Sequence, residues 1–249
     1  MQLLAIDQGN SRTKFGLFRD GALQQVWTAP TNKTALVDDL RAMVFSASRL
    51  PSPVHLALCS VVPELTASWQ RLAQETACPL IIITGASPTP LTNAYATPET
   101  LGPDRLMAAV AAADHTGAPV IPVLMGTATV VDAVSAARAY LGGMIALGIG
   151  TAADALAKAT SLLWPAEWQE PAHAVGRSSD EALRNGLFYQ QIGGLQAMIR
   201  ATREEVGVHA PVVLTGGWAP AVQPHLENVA LVDEYLVLRG IALTAAFSQ

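Results

Sequence analysis

Three short stretches of this chain carry residues whose types and spacing can do chemistry. The first is Asp7-Gln8-Gly9-Asn10-Ser11-Arg12-Thr13-Lys14. A glycine lets the backbone approach a phosphate closely, so that amide N–H groups face its oxygens. Ser11 adds a hydroxyl donor and Lys14 a balancing charge. Asp7, at the end of an apolar run, can orient a hydrated Mg2+ that bridges phosphate oxygens. The same residue types form turns, so an ordinary hairpin explains them as well.

The second stretch is Gly102-Pro103-Asp104-Arg105, just inside a predicted helix start. Adjacent side chains on a helix point in different directions. Asp104 can sit over a hydroxyl and take its proton, while Arg105 forks onto a carboxylate or phosphate. Phosphoryl transfer needs such positioning more than covalent chemistry. An acid in a first helical turn also complements the helix dipole with no further role. The third stretch is Leu214-Thr215-Gly216-Gly217. A double glycine after a strand lets a flat ring such as adenine lie against the backbone, although strand-to-helix turns use glycine for other reasons.

Other chemistries find no footing. The five histidines, at 55, 115, 173, 209 and 225, are not paired at metal spacing. There is no Gly-x-Ser-x-Gly elbow and no Walker phosphate loop. Cys59 and Cys78 are too few for a disulfide framework and read as reduced and buried. The five tryptophans form no stripe and read as packing.

The elements that must position these residues alternate. Leu3–Ile6 and Thr13–Phe18 read as strands joined at a polar tip. Ala35–Ser48 is predicted helical, with Leu36, Leu40, Met43 and Val44 on one face. Val54–Val62 and Leu80–Thr84 read as buried strands, with a helix over Leu65–Thr76 between them. A helix is predicted from Thr100 to near Asp114. Strands follow at Val120–Leu124, Thr129–Val134 and Tyr140–Ile145, then helices at 151–163 and 179–205. Strands at Pro211–Leu214 and Val229–Val232 and a helix over Leu236–Phe247 complete the pattern. This is an α/β chain with covered sheets.

Composition narrows the class. Of 249 residues, 51% are hydrophobic and 14% charged, which excludes a disordered chain. The net charge of -5 leaves no basic excess for nucleic acid. The opening MQLLAIDQGN lacks a basic leader, so it does not read as a signal peptide. The least charged stretch, Ala139–Ala153, carries four glycines and no long apolar run, short of the about 20 residues a membrane helix needs. A cytoplasmic protein without membrane contact is expected.

A weak internal repeat bears most on the fold. Leu4-Ala5-Ile6-Asp7-Gln8-Gly9-Asn10-Ser11 and Ile121-Pro122-Val123-Leu124-Met125-Gly126-Thr127-Ala128 each run from an apolar strand through a glycine and small residues into another strand. A doubly wound sheet with one phosphate loop expects its glycine-rich turn to enter a helix instead. The reading is therefore two tandem ribonuclease H-like lobes of the actin-like ATPase plan, with a nucleotide cleft between them. The boundary is placed at 115/116. Residues 1–115 carry the first phosphate loop and the start of a substrate motif, and residues 116–249 carry the second phosphate loop and an adenosine turn.

In this order the pieces resemble the type III pantothenate kinases over nearly the whole chain. The match includes Asp7-x-Gly9-Asn10-Ser11-x-x-Lys14, Ser60-Val61-Val62-Pro63, and Tyr95-x-Thr97-Pro98-x-x-Leu101-Gly102-x-Asp104-Arg105. It continues through Gly126-Thr127-Ala128-Thr129, Asp132, Tyr140-Leu141-Gly142-Gly143, Gly176-x-x-Ser179, Gly186 and Leu214-Thr215-Gly216-Gly217. The resemblance implies ATP-dependent phosphorylation of pantothenate to 4'-phosphopantothenate, the first step toward coenzyme A, with Mg2+ and a monovalent cation, K+ or NH4+. Asp104 would accept the proton. Asp7, Gly9, Asn10, Ser11, Arg12, Thr13, Lys14, Gly126, Thr127, Gly216 and Gly217 would bind ATP. Tyr95, Gly102, Pro103, Asp104, Arg105 and Ser179 would line the pantothenate site, completed across a homodimer interface.

Three departures stand out. The family has an acid two residues before the Gly-Thr-Ala glycine, where it binds the monovalent cation, and this chain has Leu124. An aliphatic group offers no oxygen ligand. Leu147-Gly148 replaces a usual Pro-Gly, and Ser179 replaces a threonine. Leu124 keeps open a catalytically weak relative that binds ligands or regulates. A kinase for another small alcohol on the same fold stays open too, because fold does not dictate function.

Overall fold

The structure is a computed structural model that describes residues 2–46 and 54–247. Packing divides the chain into two units. One takes in residues up to Ala111 and from Tyr235 onward, and the other runs Ala112–Glu234.

In the first unit β1 (Gln2–Gln8), β2 (Arg12–Arg19) and β3 (Ala22–Pro30) form an antiparallel meander. After α1 (Val37–Arg41), which runs on as a π-turn over Ala42–Ser46, β4 (His55–Ser60) adds parallel to β1. Then come α2 (Thr66–Glu75) and β5 (Leu80–Ile83), parallel to β4. The strand order is β3-β2-β1-β4-β5. Alternation along β1 sends Leu4 and Ile6 to one face, where they meet Phe15, Leu56, Leu58, Leu40, Leu65, Trp69 and Leu72 in one core. Burying each such side chain stabilises the unit by about 1.5–3 kcal/mol. The polar Gln8 lies on the same face, and its Oε1 accepts from Ser60 Oγ (3.0 Å) and Trp69 Nε1 (3.1 Å). Those bonds satisfy a buried amide at the end of β1 and anchor the chain where it turns.

The link onward holds the two-residue strand β6 (Thr92–Asn93) and a 3-10 turn over Pro98–Thr100. The helix α3 (Pro103–Thr116) begins three residues later than the sequence predicts. Gly102 precedes a proline, which disfavours helical backbone there, and Pro103 is suited to the first helical position.

In the second unit β7 (Ile121–Met125), β8 (Ala128–Val134) and β9 (Ala139–Leu147) repeat the antiparallel meander. After α4 (Ile149–Ala159) and α5 (Ser179–Val206), β10 (Val212–Thr215) pairs parallel to β7. The four-residue α6 (Ala219–Val222) leads to β11 (Val229–Val232), parallel to β10. These strands lie in the order β11-β10-β7-β8-β9. Strand for strand, that is the first unit's order and direction. The repeat read at the two hairpins is thus a duplicated sheet topology. Ile121, Val123, Met125, Val212 and Leu214 pack on Leu187, Ile192, Leu195 and Ile199 of α5.

Several details differ from the sequence reading. The last helix, α7 (Leu236–Phe247), belongs to the first unit, not to the second as contiguity implies, because it lies on β1, β2 and β4. Gly240 sits so close to α3 that a Cβ there would stand 1.9 Å from the Met107 carbonyl oxygen. The strand β3 escapes a hydrophobic reading because its edge position leaves Gln24 and Gln25 exposed. Leu36 stands outside α1 and is 71% exposed, while Leu40 and Val44 enter the core. Residues 47 and 48 of the predicted first helix lie outside the described residues.

Candidate functional site

Asp7 is the penultimate residue of β1. Its Cα partners are Lys14 on β2 and Cys59 on β4. Sheet register therefore puts Lys14, Asp7 and Cys59 in one row on one face, opposite the face that carries Ile6 and Gln8. Asp104, in the first turn of α3, acts on the same spot. Asp7 keeps part of its surface in solvent. Its pKa is nonetheless raised to about 7, first by burial and then by the charge of Asp104, with Lys14 opposing. Burial, then Asp7 and Asp104, also push the Cys59 thiol well up, so it stays protonated. Lys14 Nζ lies 5.9 Å from the centre of the Tyr235 ring, a cation–π distance.

The tip between β1 and β2 is closed by Gly9 N–H donating to the Arg12 carbonyl (3.0 Å). Thr31, just past β3, ties this tip down. Its N–H donates to the Ser11 carbonyl (3.1 Å), its Oγ1 donates to the Gly9 carbonyl (2.8 Å), and the same hydroxyl meets Thr13 Oγ1 (2.9 Å). Lys33 Nζ donates to Asn10 Oδ1 (3.0 Å). No short motif announces Thr31 or Lys33, since their contacts cross about twenty residues of chain.

At the start of α3, Asp104 Oδ1 accepts from the Arg105 backbone N–H (3.0 Å). Arg105 is buried, and its Cζ lies 5.7 Å from the centre of the Tyr95 ring. Tyr95 is held in turn by Asn93, whose Oδ1 accepts the Tyr95 N–H (3.1 Å) while its Nδ2 donates to the Gly85 carbonyl (2.7 Å). The first unit thus brings together Asp7, Lys14 and Asp104, and separately pairs Tyr95 with Arg105.

In the second unit Gly126 and Thr127 form the β7–β8 tip. Gly126 N–H donates to the Ala128 carbonyl (3.0 Å). The Thr127 carbonyl accepts from Gly148 N–H (3.1 Å) and Thr151 Oγ1 (2.7 Å), so the start of α4 lies on the tip. A Cβ at Gly148 would stand 2.2 Å from the Gly126 carbonyl oxygen, which explains why the glycine after Leu147 is kept. Gly216 has φ +98, and a Cβ there would stand 2.4 Å from the Met125 carbonyl oxygen. Gly126, Thr127, Gly216 and Gly217 therefore gather at one end of the second sheet.

Leu124 pairs with Val130 on β8 and Thr215 on β10. Asp132 lies two residues beyond Val130, about 7 Å further along the strand, and does not stand opposite Leu124. Ser179, the first residue of α5, lines an apolar cavity of about 580 Å3 with Leu147, Leu156, Leu163, Trp164 and Leu183. Among the described residues, no three His, Cys, Asp or Glu side chains gather as a metal site, and no helix is long and apolar enough to cross a membrane.

Comparison with known proteins bears on family and fold. The family model for type III pantothenate kinase matches residues 3–201. A type III pantothenate kinase from Thermomicrobium roseum is 36% identical over 245 residues, covering 96% of this chain and 95% of that protein. A Baf family protein from Campylobacter jejuni superposes with a TM-score of 0.66 at 18% identity, covering 98% of each chain. A ROK family glucokinase from Streptomyces griseus, solved with glucose and AMPPNP, does so with a TM-score of 0.55 at 13% identity, covering 97% of this chain and 98% of that one. Those two likenesses establish the two-lobed, actin-like α/β fold, and the sequence matches establish the kinship: this chain belongs to the type III pantothenate kinase family.

Proposed function

We propose that this protein transfers a phosphoryl group from ATP to the primary hydroxyl of pantothenate, giving 4'-phosphopantothenate, the first step of coenzyme A biosynthesis. The observation that carries the reading is the meeting of Asp7, Lys14 and Asp104 on one face of the first sheet, within a chain of this family. Asp104 accepts the proton of the attacking hydroxyl. Asp7 to Lys14 hold the ATP phosphates. Gly126, Thr127, Gly216 and Gly217 of the second unit also take part in ATP binding, and their gathering at one strand end supports that role. Tyr95, Gly102, Pro103, Arg105 and Ser179 bind pantothenate. The guanidinium of Arg105, braced by Tyr95, suits a carboxylate.

The donor set fits Mg2+. The two carboxylates, Asp7 and Asp104, with Lys14 opposing them make a spot that a cation relieves, and Asp7 stands at the start of the phosphate hairpin. Held there by Asp7, Mg2+ would supply positive charge that offsets the charge of the transferring phosphates. The residues do not fit the family's monovalent cation, K+ or NH4+, at Leu124, whose aliphatic side chain offers no oxygen ligand.

The homodimer belongs to the same reading. Leu147, Leu156 and Trp164, at 53%, 47% and 46% exposure, rim the apolar cavity beside Ser179. Exposed apolar surface of this kind marks an interaction site, and a second copy would cover it. A cytoplasmic location goes with this reading.

Leu124 favours one other reading, a relative that binds ligands with little turnover. ADP release that depends on pantothenate, measured with and without K+, decides between them. Turnover in either condition supports the kinase. Binding of both ligands with no turnover in any cation supports the alternative.

A further inference from the structure

We propose that Lys33 is a positioning residue of the phosphate hairpin. It takes up the carbonyl oxygen of the Asn10 side chain so that the amide's N–H donors are what the nucleotide meets. The inference rests on reading the β1–β2 tip as a phosphate site, and it adds a residue outside the motifs that mark that site.

Donors and acceptors decide which way Asn10 faces. A carboxamide carries an acceptor on one side and two donors on the other, and an exposed Asn can present either. Phosphate oxygens only accept. An Asn10 turned with Oδ1 toward them would set two acceptors against each other. The Lys33 ammonium only donates, and it lies 3.0 Å from Asn10 Oδ1. The flipped amide would put NH2 groups against the ammonium. One orientation therefore holds, with Nδ2 directed away from Lys33.

The position of Lys33 is built in by its neighbours. Thr31 is bonded to Gly9, Ser11 and Thr13 of the same tip. Asn32 Oδ1 accepts from the Thr34 N–H (3.0 Å) and Thr34 Oγ1 (2.9 Å), and Ala35 N–H donates to the Asn32 carbonyl (3.1 Å). This turn locks the backbone on both sides of Lys33. The segment from Thr31 to Lys33 thus touches four of the five residues from Gly9 to Thr13.

The test is a double-mutant cycle on the full chain. ATP and adenosine affinities are measured by calorimetry for the parent, Lys33→Met, Asn10→Ala and the double variant, with kcat and KM alongside. Lys33→Met weakens ATP binding about tenfold, the worth of one exposed charge-assisted hydrogen bond. It leaves adenosine binding and kcat within about twofold, and Lys33→Arg restores ATP affinity. In the Asn10→Ala background, Lys33→Met costs nothing more. An ATP affinity unchanged in Lys33→Met, an equal loss for adenosine, or losses that multiply in the double variant would each overturn the proposal. A parent that binds adenosine but gains nothing from the phosphates would overturn the phosphate-site reading itself, and this proposal with it.

Discussion

Asp7 at the end of β1 stands in the field of Asp104 in the first turn of α3, and burial first, then that charge, raise its carboxyl to a pKa of about 7. Two carboxylates therefore share one spot, and a cation or a proton must answer for their charge. That relationship makes the ligand-free site a destabilised one, as sites built for charged ligands commonly are.

The stability consequence has a definite sign. The ordinary aspartate value is 3.8, and the folded value is about 7. Between them the folded state holds the proton and the unfolded state does not, so stability falls as pH rises through this interval. Asp7→Asn removes the dependence. Thermal melts without ligand are expected to show the variant more stable than the parent at pH 8 and nearly equal to it at pH 4.

Gly216 meets the tip of β7 at a positive φ with no room for a side chain. Gly216→Ala is expected to lower stability by about 2–3 kcal/mol through backbone strain and clash, and to weaken ATP binding with it. Urea denaturation of the two proteins measures the first effect. By contrast Gly217→Ala, where a Cβ meets nothing within 4 Å, is expected to leave stability nearly unchanged.

Leu124 is expected to set the cation dependence. Exchange of Na+ for K+ is expected to leave the parent's rate unchanged, since Leu124 offers no oxygen. In Leu124→Asp the same exchange is expected to raise the rate. Steady-state rates across a K+ titration read both.

The proposed homodimer would cover the apolar rim around Ser179. Trp164→Glu is expected to shift the protein to monomer in analytical ultracentrifugation and to raise the KM for pantothenate more than that for ATP.

The β1–β2 hairpin was legible in the sequence because its residues lie within eight positions and glycine, turn formers and flanking strands are all local signals. The duplicated topology was legible through the second such tip at Gly126 and Thr127. What escaped depended on distance along the chain. Packing of Gly240 on Met107 draws α7 to the first unit, and nothing local to residues 236–247 says so. Lys33 reads as an ordinary surface lysine until β3 carries it back to Asn10. The strand β3 was itself obscured by its polar, edge-facing residues. The start of α3 lies three residues past the expected Thr100 because the Gly102-Pro103 step sets it.

Asp104→Asn tests the central claim most directly, with single-turnover phosphate transfer and ATP affinity measured side by side. Loss of its basic oxygen is expected to slow transfer to pantothenate by about 10²–10⁴-fold while ATP affinity stays within about threefold of the parent, since the residue acts on the hydroxyl. A variant that transfers phosphate at the parent's rate would contradict the assignment of Asp104 as the base.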